Sequence, residues 1–128
     1  MIVMLPMLAS AQTRRYYCEV KGIEKELSAG LKIIFDFGTQ TSYNIWGDLS
    51  SKLKFVDENG DVIKFNSMVD AANYMVARGW QFQQAYSSSY REHAVLHWIF
   101  YKDAESLEKA REGIMTKDDF NKTRDTDK

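Results

Sequence analysis

The segment AVLHWIFYK, residues 94–102, constrains the fold more than any other part of the chain because it is apolar on two sides. In an extended strand, successive side chains point to opposite faces of the sheet. The apolar side chains of this segment therefore divide into Val95, Ile99 and Tyr101 on one face and Leu96, Trp98 and Phe100 on the other. A strand that is apolar on both faces is typical of the interior of a sheet. We expect residues 94–102 to form a central strand.

Three further segments are predicted strands because they are rich in β-branched and aromatic residues. They are residues 15–21, 31–37 and 80–86. In the last of these, alternation with glutamine predicts that Trp80, Phe82 and Tyr86 share one side of the strand. A polar loop, residues 87–92, is expected to connect this strand to the central one.

Two sequence features refine the predicted sheet. In residues 31–37 the alternation predicts a single apolar face, with Ile34 on the other side. Asn59-Gly60 lies between two alternating runs, and both residues tolerate the positive φ of a tight turn. We expect a hairpin with arms near residues 52–57 and 61–65.

The segment NSMVDAANYMVARG contains the clearest predicted helix. Ser67 is suited to cap it together with Asp70, and Gly79 is suited to end it in the left-handed conformation. The predicted inner face of this helix consists of Met68, Ala71, Ala72, Met75 and Val76. A short second helix is expected in DAESLEKAREGI, with Asp103 as its cap.

These elements predict an α+β fold, an antiparallel β-sheet of about five or six strands with one main helix packed on a face and a short C-terminal helix. A chain of 128 residues has room for one domain, which we expect to cover residues 12–115. Residues 116–128 are strongly charged and are predicted to be a disordered tail.

Residues 1–11 are predicted to be a signal peptide. The first eight are apolar, and Ala9, Ser10 and Ala11 supply the small side chains that a signal peptidase requires before a cleavage site at Gln12. The segment has no basic start, so we expect it to be truncated at its N-terminus. The alternative is a buried first strand, which Pro6 opposes because proline cannot donate to a strand ladder. Export to the periplasm or the exterior follows from this interpretation.

Charge and cysteine content exclude several function classes. The net charge of −1 offers no field for binding nucleic acid. The single cysteine, Cys18, rules out an internal disulfide and is expected to be a buried, inert thiol. No metal or cofactor site is predicted, since His93 and His97 on one strand would lie about 13 Å apart. The serines at residues 87–89 adjoin His93, but the sequence shows no third group to orient it, which disfavours a serine hydrolase.

Large aromatic side chains in or beside predicted loops are the candidate binding residues. They are Tyr43, Trp46, Tyr86 and Tyr90. Together with the amides of Gln40, Asn44 and Gln84, such rings suit a sugar or a peptide, because aromatic faces and amides bind neutral polar ligands. The alternative for Trp46 is that it covers one end of the core. An open sheet edge is the other predicted route to binding.

The helix that ends in Gly79-Trp80, followed by Phe82 and by IFYK at residues 99–102, resembles the DUF4177-like domains, a group of unknown function. Residues 14–115 are also similar to small exported proteins of unknown function from gut Bacteroidetes. These resemblances imply an α+β fold and export, and they assign no catalytic residue.

From these features we expect an exported protein that is a non-catalytic binding or interaction module in the periplasm or cell envelope. Its partner would be a protein or a neutral polar ligand. The alternatives are a small hydrolase and a structural accessory subunit in the same compartment. No transmembrane segment is predicted, because the N-terminal apolar run is far shorter than the roughly 20 residues that cross a bilayer.

Overall fold

The computed structural model describes residues 12–24, 30–38 and 54–126 of the chain. The predicted signal peptide therefore lies outside the described residues. The elements, in chain order, are β1 (Arg14–Glu24), β2 (Leu31–Asp36), β3 (Phe55–Val56), α1 (Met68–Ala77), β4 (Gln81–Tyr90), β5 (His93–Ala104), α2 (Leu107–Ala110), β6 (Met115–Thr116) and α3 (Lys117–Thr126).

Within these residues, four strands form an antiparallel sheet in the order β2-β1-β5-β4, and β3 pairs with β6 in a second, two-stranded sheet. The predicted α+β class is confirmed. The central position of residues 94–102 is confirmed as well, because β5 pairs with β1 on one side and β4 on the other. Val95 and Phe100, which point to opposite faces, are both buried.

Helix α1 packs on one face of the four-stranded sheet, which we call the helix face; Cys18, Val20 and Gly22 of β1 lie on it. We call the other side, which carries Tyr17, Glu19 and Lys21, the opposite face. Gly22 lies so close to α1 that a Cβ there would be 2.6 Å from the Met68 sulfur. The small glycine thus permits a close approach of helix and sheet.

The predicted ends of α1 are confirmed. The backbone N–H of Asp70 donates to Ser67 Oγ at 3.1 Å, and Asp70 in turn accepts from the backbone N–H of Asn66 at 2.9 Å. Gly79 has a φ of +90°, as a helix-ending glycine should. The predicted inner face is wrong at Val76, which is 55% exposed. Tyr74 faces the core instead.

The core on the helix face is an aromatic cluster between the sheet, α1 and β3. Phe35 stacks on Phe55 with ring centroids 4.2 Å apart, and Tyr74 stacks on Phe55 at 5.6 Å. Cys18 is fully buried beside this cluster, as predicted, and burial raises the pKa of its thiol. Ile34, which the sequence leaves off the apolar face, is buried on the opposite face with Ile23 and Val95. The sheet is therefore apolar on parts of both faces.

The hairpin between β4 and β5 differs from its sequence prediction. Residues 87–90 belong to β4, and only Arg91 and Glu92 form the turn, with φ angles of 49° and 69°. A β-bulge between Phe82 and Gln84 shifts the register. An extra residue reverses the alternation of side chains. Phe82 consequently lies on the helix face and Tyr86 on the opposite face, whereas the sequence predicted a shared side.

The predicted Asn59-Gly60 turn is present, but its arms are short. The N–H of Gly60 donates to the carbonyl of Asp57 at 3.0 Å, and Gly60 has a φ of +84°. A single bridge, Val56 to Val62, joins the two arms within the described residues. The first arm pairs instead with β6, far along the chain.

Residues 115–126 form β6 and α3, where the sequence predicts a disordered tail from residue 116. Thr116 and Asp119 make two reciprocal hydrogen bonds of 3.1 Å between the side chain of one and the backbone N–H of the other. This is a capping box, and it fixes the start of α3. The ring of Phe120 then packs directly over Gly60. The short helix α2 is also capped differently from the prediction, by Ser106 rather than Asp103, which belongs to β5.

Candidate functional site

Two of the four sequence-predicted binding residues, Tyr86 and Tyr90, lie in the described part of the chain, and both belong to β4 rather than to a loop. They point to the opposite face, two residues on either side of Ser88, and are 50% and 41% exposed. The structure thus brings these two rings to one side of one strand. Tyr43 and Trp46 lie outside the described residues.

β4 is the edge strand of the sheet, and all ten of its residues are exposed. Its sequence, QFQQAYSSSY, has no charged side chain and no proline. Edge strands usually carry charged residues or proline, because an unprotected edge offers free backbone N–H and C=O groups to another chain. The other edge strand, β2, is shorter and carries Lys32 and Asp36. The two edges of this sheet are therefore unlike.

A hydrogen-bonded row of side chains crosses the opposite face next to this edge. His97 of β5 lies between Glu19 of β1 and Ser88 of β4. Its Nδ1 is 2.5 Å from Glu19 Oε1, and its Nε2 is 2.8 Å from Ser88 Oγ. We call these three residues the carboxylate–imidazole–serine row. The side chains of His97 and Glu19 are 14% and 20% exposed, so the row is partly shielded from water.

Tyr86 covers one side of the imidazole. Its ring is nearly parallel to that of His97, with centroids 4.3 Å apart, and its hydroxyl donates to Glu19 Oε1 at 3.4 Å. Desolvation raises the pKa of Tyr86, and the negative charge of Glu19 raises it further. Lys21 lies between Glu19 and Asp36, with nitrogen–oxygen distances of 3.6 and 3.9 Å. The Glu19 carboxylate, which contacts His97, is therefore also contacted by Tyr86 and Lys21.

Strand register assembles this row. Lys21 of β1 pairs with His97, which places Glu19 beside the ring, and Tyr86 pairs with His97 from the other side. The bulge near Gln83 is essential, because without the extra residue Tyr86 and Ser88 would point to the helix face.

Sequence reasoning missed the row because it assigned the serines to a loop near His93. The continued alternation Tyr86–Ser88–Tyr90 is the signal that β4 extends this far.

When His97 is neutral, the chemistry of the three groups allows one arrangement of protons. A carboxylate only accepts hydrogen bonds, so Nδ1 of a neutral His97 must donate to Glu19. Nε2 is then the acceptor, and the hydroxyl of Ser88 donates to it. This is the order of groups, carboxylate to imidazole to hydroxyl, that activates a serine in hydrolases of several unrelated folds.

Other site types find less support in the described residues. They contain no group of three or more His, Cys, Asp or Glu side chains that could hold a metal ion. None of the helices described is long and apolar enough to cross a membrane. Comparison with family models, with curated proteins and with solved structures finds no match. The resemblance to DUF4177-like domains and to exported proteins of Bacteroidetes stays a prediction.

Proposed function

We propose that this protein is an interaction module that binds an extended, uncharged polypeptide segment along β4. The observation that carries the proposal is the exposure of β4 at every residue of a long, uncharged edge strand. A strand of this kind recognises a partner by β-augmentation, in which backbone hydrogen bonds supply affinity and alternate side chains supply specificity.

The binding stretch is the part of β4 beyond the bulge, residues 84–90. The bulge lies between Phe82 and Gln84, and bulges disturb the regular pairing that an added strand needs. From Gln84 onward β4 pairs with β5 residue by residue without a further shift. Its outer edge therefore presents a regular ladder of backbone groups.

Side chains define the chemistry of the partner. Tyr86 and Tyr90 offer half-exposed rings on the opposite face, and amide and hydroxyl groups separate them. Because β4 contributes no charge, a charged segment would lose hydration at this edge without gaining an ion pair from the strand. An uncharged segment with alternating apolar and small polar residues fits best.

The periplasm or cell envelope is the proposed place of action, supported by the Ala9-Ser10-Ala11 pattern. N-terminal sequencing of the protein exported by a bacterial host should begin near Gln12. Recovery of the chain from the cytosol with Met1 intact would contradict export.

The binding proposal is tested with an uncharged peptide that copies β4 itself, QFQQAYSSSY, titrated into isotope-labelled protein. We expect amide shifts and slower hydrogen exchange confined to residues 84–90. Ala85→Lys with Ser87→Lys should weaken binding by roughly tenfold or more, because charge on an edge opposes strand addition.

The matched control places the same two charges away from the edge. Val69 and Val76 of α1 are both exposed, so Val69→Lys with Val76→Lys should leave peptide binding unchanged. Equal loss of binding in both double variants, or shifts outside β4, would contradict the assignment of the edge.

A further inference from the structure

We propose that Ser88 is a nucleophile, activated by His97 with Glu19 as the positioning residue, that cleaves uncharged carboxylic esters. This activity goes beyond the proposed binding function and requires no polypeptide partner. It rests on the hydrogen-bonded chain from Glu19 through the imidazole to Ser88 Oγ, with distances of 2.5 and 2.8 Å.

The geometry matches the requirements for nucleophilic catalysis step by step. The base must lie within about 2.6–3.2 Å of the hydroxyl that it deprotonates, and His97 Nε2 does. A third group must fix the tautomer of the base, and Glu19 does so by accepting from Nδ1. The nucleophile must be open to substrate, and Ser88 is exposed on β4.

A purely structural role would explain part of this arrangement, since hydrogen bonds satisfy polar groups inside a sheet. A structural role does not require the Ser88 hydroxyl, because Ser88 is exposed and a water molecule could donate a hydrogen bond to Nε2 there. The neighbouring strand residues Ser87 and Ser89 point to the helix face and do not reach the ring.

The reaction balances without a cofactor. Ser88 Oγ bonds to the ester carbonyl carbon while its proton passes to His97 Nε2, and the bond to the alcohol oxygen then breaks as that oxygen takes the proton. Water next adds to the acyl carbon and gives a proton to Nε2. The bond to Ser88 breaks, Oγ recovers the proton, and a carboxylic acid leaves.

The surroundings of Ser88 define the substrate class. Tyr86 and Tyr90 flank it on the same face, so an apolar part of the ester can lie along the strand against their rings. β4 adds no charged group. Glu19 is engaged by the imidazole and by Lys21. An uncharged ester is therefore favoured over an anionic one.

The test uses a fluorophosphonate, which reacts when an activated serine oxygen bonds to phosphorus and fluoride leaves, with peptide mapping by mass spectrometry. We expect one adduct, on Ser88, and none in Ser88→Ala. Thr13→Ala, which removes an exposed hydroxyl outside β4, is the control and should label as the parent does. His97→Gln should slow labelling by roughly 100-fold or more. Absence of an adduct in the parent, or an adduct that survives Ser88→Ala, would overturn the proposal.

A second measurement covers the possibility that His97→Gln disturbs folding. Iodoacetamide should alkylate the thiol introduced by Ser88→Cys about tenfold faster than the thiol introduced by Ser89→Cys, because an adjacent imidazole favours the thiolate. Cys18 does not interfere, since it is fully buried. Equal rates at the two positions would contradict activation by His97.

The positioning role of Glu19 is tested by a measurement that a change in stability alone would not affect. The Nδ1 proton of His97, held in a short hydrogen bond to Glu19, should give a downfield proton resonance in the parent protein and lose it in Glu19→Ala, which removes the acceptor. The same variant should label more slowly than the parent. A resonance that persists in Glu19→Ala would show that another group orients the ring.

Discussion

Gly60 takes part both in a local turn and in a contact with a residue far along the chain. It ends the turn that begins at Asp57 with a φ of +84°, and Phe120, 60 positions further along the chain, covers it. Lys117 reinforces the contact by donating from Nζ to the Gly60 carbonyl at 2.9 Å. One small residue thus allows a turn to form and a C-terminal helix to dock.

Gly60→Ala should therefore lower the free energy of unfolding by about 2–4 kcal/mol, through left-handed strain and overpacking together. An added Cβ would lie 2.4 Å from the Phe120 ring. Gly38→Ala is the matched control: Gly38 has a similar φ of +81°, and a Cβ there would meet no atom of the described residues within 4 Å, so the variant should lose only about 1–2 kcal/mol. Urea denaturation measures both, and equal losses would show that Phe120 yields without cost.

Residue-level patterns predict local geometry well and distant contacts poorly. Ser67, Asp70 and Gly79 are correct as helix signals because capping depends on neighbours within one turn. Nothing near Glu19 in the sequence indicates that His97 will lie beside it, since their meeting depends on the pairing of β1 with β5. The carboxylate–imidazole–serine row is therefore visible only in three dimensions.

At the level of elements, the β4–β5 hairpin determines the candidate site. Its bulge turns Ser88 and Tyr86 toward the opposite face, and its two-residue turn extends β4 to Tyr90. The sequence did not predict this turn because residues 91 and 92 are arginine and glutamate, whereas left-handed turn positions usually hold glycine or asparagine. Strain stored in the turn is tolerated because the strands on both sides are fully paired with each other.

Glu92→Gly should relieve this strain and raise the free energy of unfolding by about 1 kcal/mol, since glycine adopts a φ of 69° without a steric penalty. Glu58→Gly is the control in another exposed turn, where φ is not positive and glycine only adds freedom to the unfolded chain. That variant should be neutral or slightly destabilised. Chemical denaturation at equilibrium compares them, and a loss of stability in Glu92→Gly would contradict a strained turn.

At the scale of the whole molecule, the C-terminal segment helps to complete the core of the domain. The helix face is closed by α1 and by the aromatic cluster around Phe55. β3 in turn is held by β6, so chain beyond residue 115 contributes to the same domain. Composition alone suggested a tail because the segment is highly charged. The few groups that dock it, Thr116, Lys117 and Phe120, are too sparse to give a hydrophobic pattern.

Ending the chain after Thr116 tests this role of α3. The deletion removes the Lys117 N–H that donates to the Lys54 carbonyl at 2.9 Å and the ring that covers Gly60. We expect the free energy of unfolding to fall by about 2–4 kcal/mol, because apolar contacts of a large ring are lost together with the hydrogen bonds of Lys117 and those between Thr116 and Asp119. Phe120→Ala should reproduce much of that loss. Lys122→Ala, which changes a side chain that is 73% exposed, should stay within about 0.5 kcal/mol of the parent. If the deletion were equally neutral in urea denaturation, residues 117–126 would be the dispensable tail that their charge suggests, and the domain would end at β6.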